Sequence, residues 1–331
     1  MRRLFLIALL MALLAPGTWL RTKPAPPDYT SGLAVTPIAF GQALPGDVEI
    51  VGAWELESRN GHFGSYSALL ALPGGELFAA SDRGRYVRFP IPGSDGDTHF
   101  GWFSGDADTL KNLIDIEALT RDAESGRIWA AYEGTNTIER RGSVSSAPTR
   151  AAPEAIAGFG NNQGPEAFER LSDGRFLVLS EGPRTFMGNI HSAYLFAGDP
   201  VEGSASIRTA FRSPEGYRPT DLAQLPDGRL MILVRRVAWG FPPRFPVKLV
   251  LADPADIVEG EEWSGDVIAS IAEPLPSDNF EGLAAIPQSD GSVELWLISD
   301  DNNSAFQRTL LMKLRWLPSK PSDGAKEKAR G

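Results

Sequence analysis

Five segments of this chain can be laid on one another: YSALLALPGGELFAASD (66–82), IEALTRDAESGRIWAAYE (116–133), PEAFERLSDGRFLVLSE (165–181), TDLAQLPDGRLMILVR (220–235) and FEGLAAIPQSDGSVELWLISD (280–300). Each reads as a short apolar strand, a glycine-containing turn and a second, more apolar strand. The Gly-Gly, Ser-Gly and Asp-Gly turns supply the positive φ that tight hairpins need. The second strands (LFAAS, IWAAY, FLVLS, MILV, LWLIS) are unbroken apolar runs, as expected of strands covered on both faces.

The first polar position of the unit is Ser67, Glu117, Glu166, Asp221 and Glu281, at successive spacings of 50, 49, 55 and 60 residues. A hairpin uses about 20 of these, which leaves room for two further strands such as 86–91, 193–197 and 247–252. A four-stranded unit recurring at about 50 residues is the period of a propeller blade. The sequence therefore predicts an all-β chain, a β-propeller of four-stranded blades with five repeats visible and five or six blades in all. A sixth would have to sit in the longer 166–221 or 221–281 interval. The strand-like segments 48–56 and 309–316 flank the repeats, and one is expected to complete the blade begun by the other. A β-sandwich is the alternative, but it has no reason to repeat an acidic residue at fixed phase.

The ends of the chain read differently. Arg2 and Arg3 precede an apolar run from Leu4 to Leu14, the layout of a secretory signal. Trp19 and Leu20 prolong the run, so residues 1–20 are expected to be a cleaved signal or a retained membrane anchor. Residues 21–44, Pro-rich at Lys23–Pro27, read as a linker leading into a propeller at 45–317, and 318–331 as a disordered polar tail. The body is thus expected in the periplasm or secreted, or tethered through its leader, and as a monomer. The chain has no cysteine, which excludes disulfides, thiolate catalysis and Cys-ligated metal. The net charge of −10 becomes about −16 once residues 1–23 and the tail from Pro318 are set aside. A body that acidic disfavours nucleic acid or an anionic membrane as partner and suits a cation.

In a four-stranded blade the start of the first strand and the end of the second lie on one face, and the turn joining them on the other. Strand starts give Glu117, Glu166, Asp221 and Glu281; strand ends give Asp82, Glu133, Glu181 and Asp300, with Arg235 as the exception. Two adjacent columns of carboxylates at one mouth are costly unless bases or a cation neutralise them. The loops after the second strands offer Arg83, Arg85, Arg184, Arg235, Arg236 and Arg244. The loops entering the blades add His62, Asp106, Asp108, Asn161, Asn162, Arg218 and Asn279. Oxygen donors, with only three histidines in the chain, point to Ca²⁺ rather than zinc or copper. Glu117, Glu166, Asp221, Glu281 and Asp300 are the expected metal ligands. The alternative for each acid is a cap or a salt bridge. No G-x-S-x-G elbow and no phosphate-cradling G-x-x-x-x-G-K-[ST] loop occurs. Asp300-Asp301-Asn302-Asn303 is a polar loop able to supply one ligand, without the spacing of an EF-hand. The aromatic, Pro-stiffened WGFPPRFP (239–246) falls on the same face, where it walls a pocket or covers a blade end.

The phrases DIEALTRD…GRIWAAYEG, GPEAFERLSDGRFLVLSEG, PTDLAQLPDGRL and NFEGLAAIP…LWLISDDN resemble the phytase-like propeller family described as having esterase-like activity. The resemblance covers about residues 45–316. It implies an exported hydrolase of phosphoric or carboxylic esters, with calcium as cofactor and a small-molecule ester or phosphoester as substrate. By phase it implies Glu117, Glu166, Asp221 and Glu281 as ion ligands and Arg83, Arg85 and Arg184 as anion contacts. Arg218 and His62 are further candidates for substrate binding, and Glu133 or Glu181 for the general base. Ser67 and Arg235 depart from the acidic pattern and lysine is sparse near the mouth, which favours a smaller ester over a polyphosphate. Two rival readings stand beside this one. One is a non-catalytic, calcium-stabilised propeller that binds a ligand or protein, the other a lactonase-type propeller.

Overall fold

The alternation of two apolar strands with two half-exposed ones can be buried only if the apolar strands stand inside and are covered by copies of themselves. The computed structural model solves this with five antiparallel sheets. It describes residues 2–14, 26–41, 43–160, 163–185 and 187–318. The first blade is Tyr66–Leu72, Glu76–Ser81, Arg85–Pro90 and His99–Trp102. The second is Ile116–Arg121, Ile128–Tyr132, Thr137–Arg141 and Thr149–Ala151. The third is Pro165–Arg170, Phe176–Pro183, Ile190–Phe196 and Ser206–Arg212, and the fourth Arg218–Gln224, Leu230–Arg235, Val247–Ala252 and Asp266–Ile271.

The fifth blade closes the ring. Its inner strands Phe280–Pro287, Val293–Ser299 and Thr309–Trp316 are completed by Val48–Glu57, which pairs antiparallel to Thr309–Trp316 from Val48↔Trp316 to Leu56↔Thr309. The protein is a five-bladed β-propeller with four strands per blade, and the two segments flanking the repeats form the expected clasp. No sixth blade exists among the described residues. The extra length of the fourth repeat goes into the loop after Arg235 and into Glu262–Trp263, which adds in parallel to the outer edge of the third blade. Part of the expected linker is structured as well: Ala34–Pro37 pairs with the outer strand of the fifth blade at Ala34↔Glu57 through Pro37↔Trp54.

The core lies between blades rather than within one. Five apolar clusters fill the five wedges: for instance Leu77, Phe89, Trp296 and Leu311 between the fifth and first blades, and Ala118, Trp129, Phe168 and Phe176 between the second and third. Each such side chain contributes about 1.5–3 kcal/mol by leaving water, so the wedges, repeated around the ring, hold the disulfide-free body together. All five turns joining the inner two strands carry a glycine at positive φ, Gly174 at 90° and Gly228 at 89° among them. Inner strands approach closely at Gly282, where a Cβ would lie 2.9 Å from both Cβ and N of Leu69. At the turn face of the channel Thr120 Oγ1 donates to Glu169 (2.7 Å) and the Gln224 N–H to its other oxygen (3.2 Å), tying three consecutive blades. Burial raises the Glu169 carboxyl to about 7.

Arg2–Leu14 forms a helix, and no helix among the described residues is long and apolar enough to cross a membrane. Most of the expected tail, 319–331, and residues 15–25 lie outside the described residues.

Candidate functional site

Every inner strand carries a β-bulge at its start, and the bulge decides which side chain enters the channel mouth. The register skips one residue between Tyr66/Ala68, Ile116/Ala118, Pro165/Ala167, Pro219/Asp221 and Phe280/Gly282. The bulged residues are therefore Ser67, Glu117, Glu166, Thr220 and Glu281. An extra residue reverses the in–out alternation beyond it, which re-aims the side chains that follow. Three of the five bulges carry glutamate. The other two carry hydroxyls that reach the next blade: Ser67 Oγ donates to Ile116 O (2.5 Å) and Thr220 Oγ1 lies 3.4 Å from Phe280 O.

Asp221 is thus displaced from the column in which its sequence phase places it. It occupies the small-residue position held elsewhere by Ala68, Ala118, Ala167 and Gly282. There it accepts from the N–H of Leu283 (2.6 Å) and of Leu222 (2.8 Å), and burial holds its carboxyl well above the ordinary range. It does not line the mouth.

The residue at or just past the end of each second strand forms the outer column as expected: Asp82, Glu133, Glu181, Arg235 and Asp300. With the bulge glutamates and Asp115 they line a cavity of about 350 Å³ that holds eight carboxylates (Asp82, Asp115, Glu117, Glu133, Glu166, Glu181, Glu281, Asp300) and two bases, Lys111 and Arg235. Asn302 completes the wall. Lys111 stands on a one-turn 3-10 helix, Lys111–Leu113, and its Nζ lies 3.0 Å from Asp82 Oδ2 and 2.9 Å from Asp115 Oδ1. The Arg235 guanidinium bridges Glu181 (3.0 Å) and Glu281 (3.3 Å), and Arg218 reaches Glu181 from the rim (3.4 Å).

Charges this dense cannot all ionise without help. Burial first, then the charges of Glu166, Asp115, Glu281 and Glu133, hold the Glu117 carboxyl far above its ordinary range. Glu166 is raised in the same way by burial and then by Glu181 and Glu133. Burial brings Glu281 to about 7 against the opposing pull of Arg235, and brings Asp300 to about 9 with Glu281 adding to the shift. Glu133 is raised by burial although the Gly164 N–H donates to its Oε1 (3.2 Å). Gly164 packs so closely on Glu133 that a Cβ there would sit 2.7 Å from its Cα.

The donor set fits the hard divalent cation expected from the sequence. Asp115, Glu117 and Glu133 each offer an oxygen, all within 4.8 Å of one another, and no histidine lines the cavity. Asp82 Oδ1 and Asn279 Oδ1 are buried oxygens with no hydrogen-bond partner.

The structure separates the expected anion contacts from this cavity. Arg85 opens the third strand of the first blade and Arg184 directly follows the second strand of the third; neither lines the cavity. Arg85 donates to Gly61 O (2.6 Å), and Arg184 donates to Thr209 O (2.8 Å). His62 is packed against Tyr29 and Trp102, at ring-centroid distances of 4.7 and 5.2 Å. Arg83 lies beside Asp82 at 3.9 Å but outside the lining. Of the basic residues singled out for substrate binding, Arg83 and Arg218 pair with carboxylates of the cavity, Asp82 and Glu181, at 3.9 and 3.4 Å. Asp106 closes its own turn with Thr109, and Asn161 and Asn162 lie outside the described residues. In the run 300–303, Asp300 and Asn302 face the cavity while Asp301 accepts from Ser65 N and Thr309 Oγ1.

A family model described as phytase-like, esterase-like activity of phytase, matches residues 61–303. The chain belongs to the phytase-like family. The match takes in every residue of the acidic cavity. No curated protein matches the sequence. Solved structures similar to this phytase-like chain include the PQQ-bound aldose sugar dehydrogenase of Streptomyces coelicolor (13% identity, TM-score 0.44, 87% of this chain and 100% of that one). Others are the Cps50 (Swd1) propeller domain of Myceliophteria thermophila (10%, 0.41, 86% and 100%) and a putative glucose dehydrogenase of Thermus thermophilus (12%, 0.39, 81% and 99%). Such distant likenesses say nothing of substrate or cofactor.

Proposed function

We propose that the acidic mouth is the active site of a calcium-dependent hydrolase of phosphoric or carboxylic esters. The observation that carries the reading is the convergence of Asp115, Glu117 and Glu133 oxygens in a cavity where eight carboxylates face two bases. Family membership supports it, since the family's description names esterase-like activity. Asp115 and Glu117 would hold the ion, with Glu133 within reach of it and Glu166 adjoining. When bound, calcium would offset the clustered negative charge and polarise the ester oxygen.

The chain's own groups do the rest. Glu133 is the better of the two candidate bases. Its carboxyl is raised by burial, one oxygen is fixed by Gly164 N–H, and no arginine pairs with it, so it is placed to take a proton from the attacking water. Glu181 is instead engaged by Arg235 and Arg218, and it serves to fix those guanidiniums at the mouth. Lys111 and Arg218, both on the rim, would hold a charged substrate group. The basic-then-apolar leader supports a periplasmic or secreted site of action in the same reading.

The test is turnover of 4-nitrophenyl phosphate and 4-nitrophenyl butyrate, with calcium and with a chelator, by wild type and Glu117→Gln. Loss of at least about a hundredfold on chelation and in the variant is expected. Equal turnover under all conditions sinks the proposal. Calcium-dependent melting without turnover would instead identify a non-catalytic binding propeller.

A further inference from the structure

A second cavity opens on the same face, and its chemistry is opposite to that of the first. The loop after Arg235 continues its strand as a hairpin closed by Ala238 and Arg244, whose backbones exchange hydrogen bonds of 2.8 and 3.1 Å. Its tip leaves Trp239 93% and Phe241 87% exposed. Phe241 meets Phe306, on the corresponding loop of the fifth blade, edge to face at a centroid distance of 5.3 Å. Between the two loops lies a cavity of about 370 Å³, lined by Arg236, Arg244, Asp278, Phe306 and Arg308 among others.

Three arginines here face two acids, Glu273 and Asp278, within a strongly acidic body. The Asp278 charge is already engaged by the N–H groups of Asn279 (2.9 Å) and Arg308 (3.0 Å). Arg244 and Glu273 pair at 3.1 Å with both side chains more than half exposed, and Arg308 lies a loose 3.6 Å from Glu55. Pairs so wet hold their partners weakly, which leaves the guanidiniums available to an anion. Exposed aromatic side chains grouped beside them mark a contact surface. We infer that this cavity binds a planar aromatic ligand carrying an anionic group, the ring against Phe306 and the anion between Arg244 and Arg308.

The two cavities share walls: Arg235 lines one and Arg236 the other, while Asn279 bonds Glu281 in the first and its neighbour Asp278 lines the second. The inference goes beyond ester hydrolysis, because binding here requires neither turnover nor calcium. In the hydrolase it would serve as the subsite for the part of the substrate remote from the reacting bond.

Calorimetric titration with 2-naphthalenesulfonate, which contains no ester and is a poor calcium ligand, tests it on the full chain. Saturable one-to-one binding is expected, unchanged by chelator and in Glu117→Gln. Phe306→Ala and Arg244→Ala should each weaken it about tenfold, as should replacing the probe by neutral 2-naphthalenemethanol. Both substituted side chains are largely exposed, so melting temperatures should stay at the wild-type value and confirm that folding is intact. Absence of saturable binding, or binding indifferent to both substitutions, overturns the inference. So does binding that is lost in Glu117→Gln and kept in Phe306→Ala.

Discussion

The buried carboxylate of Asp221 accepts the backbone N–H of Leu283 on the neighbouring blade at 2.6 Å. It is a bond between inner strands, made by an acid that sequence phase assigns to the ion-binding column. Asp221→Ala should leave calcium affinity and turnover within about twofold of wild type. It should lower unfolding stability by about 1–3 kcal/mol, the usual cost of an unsatisfied buried donor. Denaturant unfolding and calcium titration of the same variant check both halves.

Arg235 stands between Glu181 and Glu281 with its side chain only 15% exposed. Removing one partner of a buried ionic cluster leaves the others uncompensated, at about 3–5 kcal/mol. Arg235→Met should therefore be strongly destabilised at neutral pH in chelator and substantially recovered at pH 5, where the stranded carboxylates can take up protons. Equal destabilisation at both pH values would contradict this account.

Glu281 at about 7 and Asp300 at about 9 are both raised by folding, as are Glu117 and Glu166. An acid whose folded value lies above its unfolded one adds stability that is complete below the unfolded value. That stability is lost as pH climbs through the folded one. The calcium-free protein should melt at steadily lower temperature between about pH 5 and 9. Added calcium should flatten that slope and release protons on binding. Differential scanning calorimetry with and without chelator, plus a proton-release titration, measures both effects.

Lys111 ties Asp82 to Asp115 from a position where its side chain is 54% exposed. It competes with any cation for the Asp115 carboxylate. Lys111→Met should bind calcium several-fold more tightly and, in chelator, lose stability, because the largely buried Asp82 and Asp115 carboxylates are left without their base. Weaker calcium binding in this variant would show that the lysine does not oppose the ion.

Much of this architecture could be read from the chain because a propeller writes its geometry as a period. The repeat gave the inner hairpins, the clasp and, for Asp82, Glu133, Glu181, Arg235 and Asp300, the outer ring of the mouth. The limits are local and physical. In the fourth repeat a single-residue bulge assigns Thr220 rather than Asp221 to the mouth, and Thr-Asp in sequence does not reveal which of the two is bulged. Lys111 carries no sequence signal, because it sits in a blade-connecting loop of no repeated form. Arg85 and Arg184 are close in sequence to the mouth, but Arg85 stands on a third strand and the Arg184 side chain is turned to Thr209 O.

The clasp between Val48–Glu57 and Thr309–Trp316 also orders assembly in time. Four blades can form as the chain lengthens, but the ring stays open until the segment ending at Trp316 has been made. Only then is Glu281 fixed opposite Glu117 and Glu166, which the packing of the second and third blades has already brought together. Part of the electrostatic repulsion is thus deferred to the last step of folding, and a cation present at that moment would favour closure as well as the finished molecule.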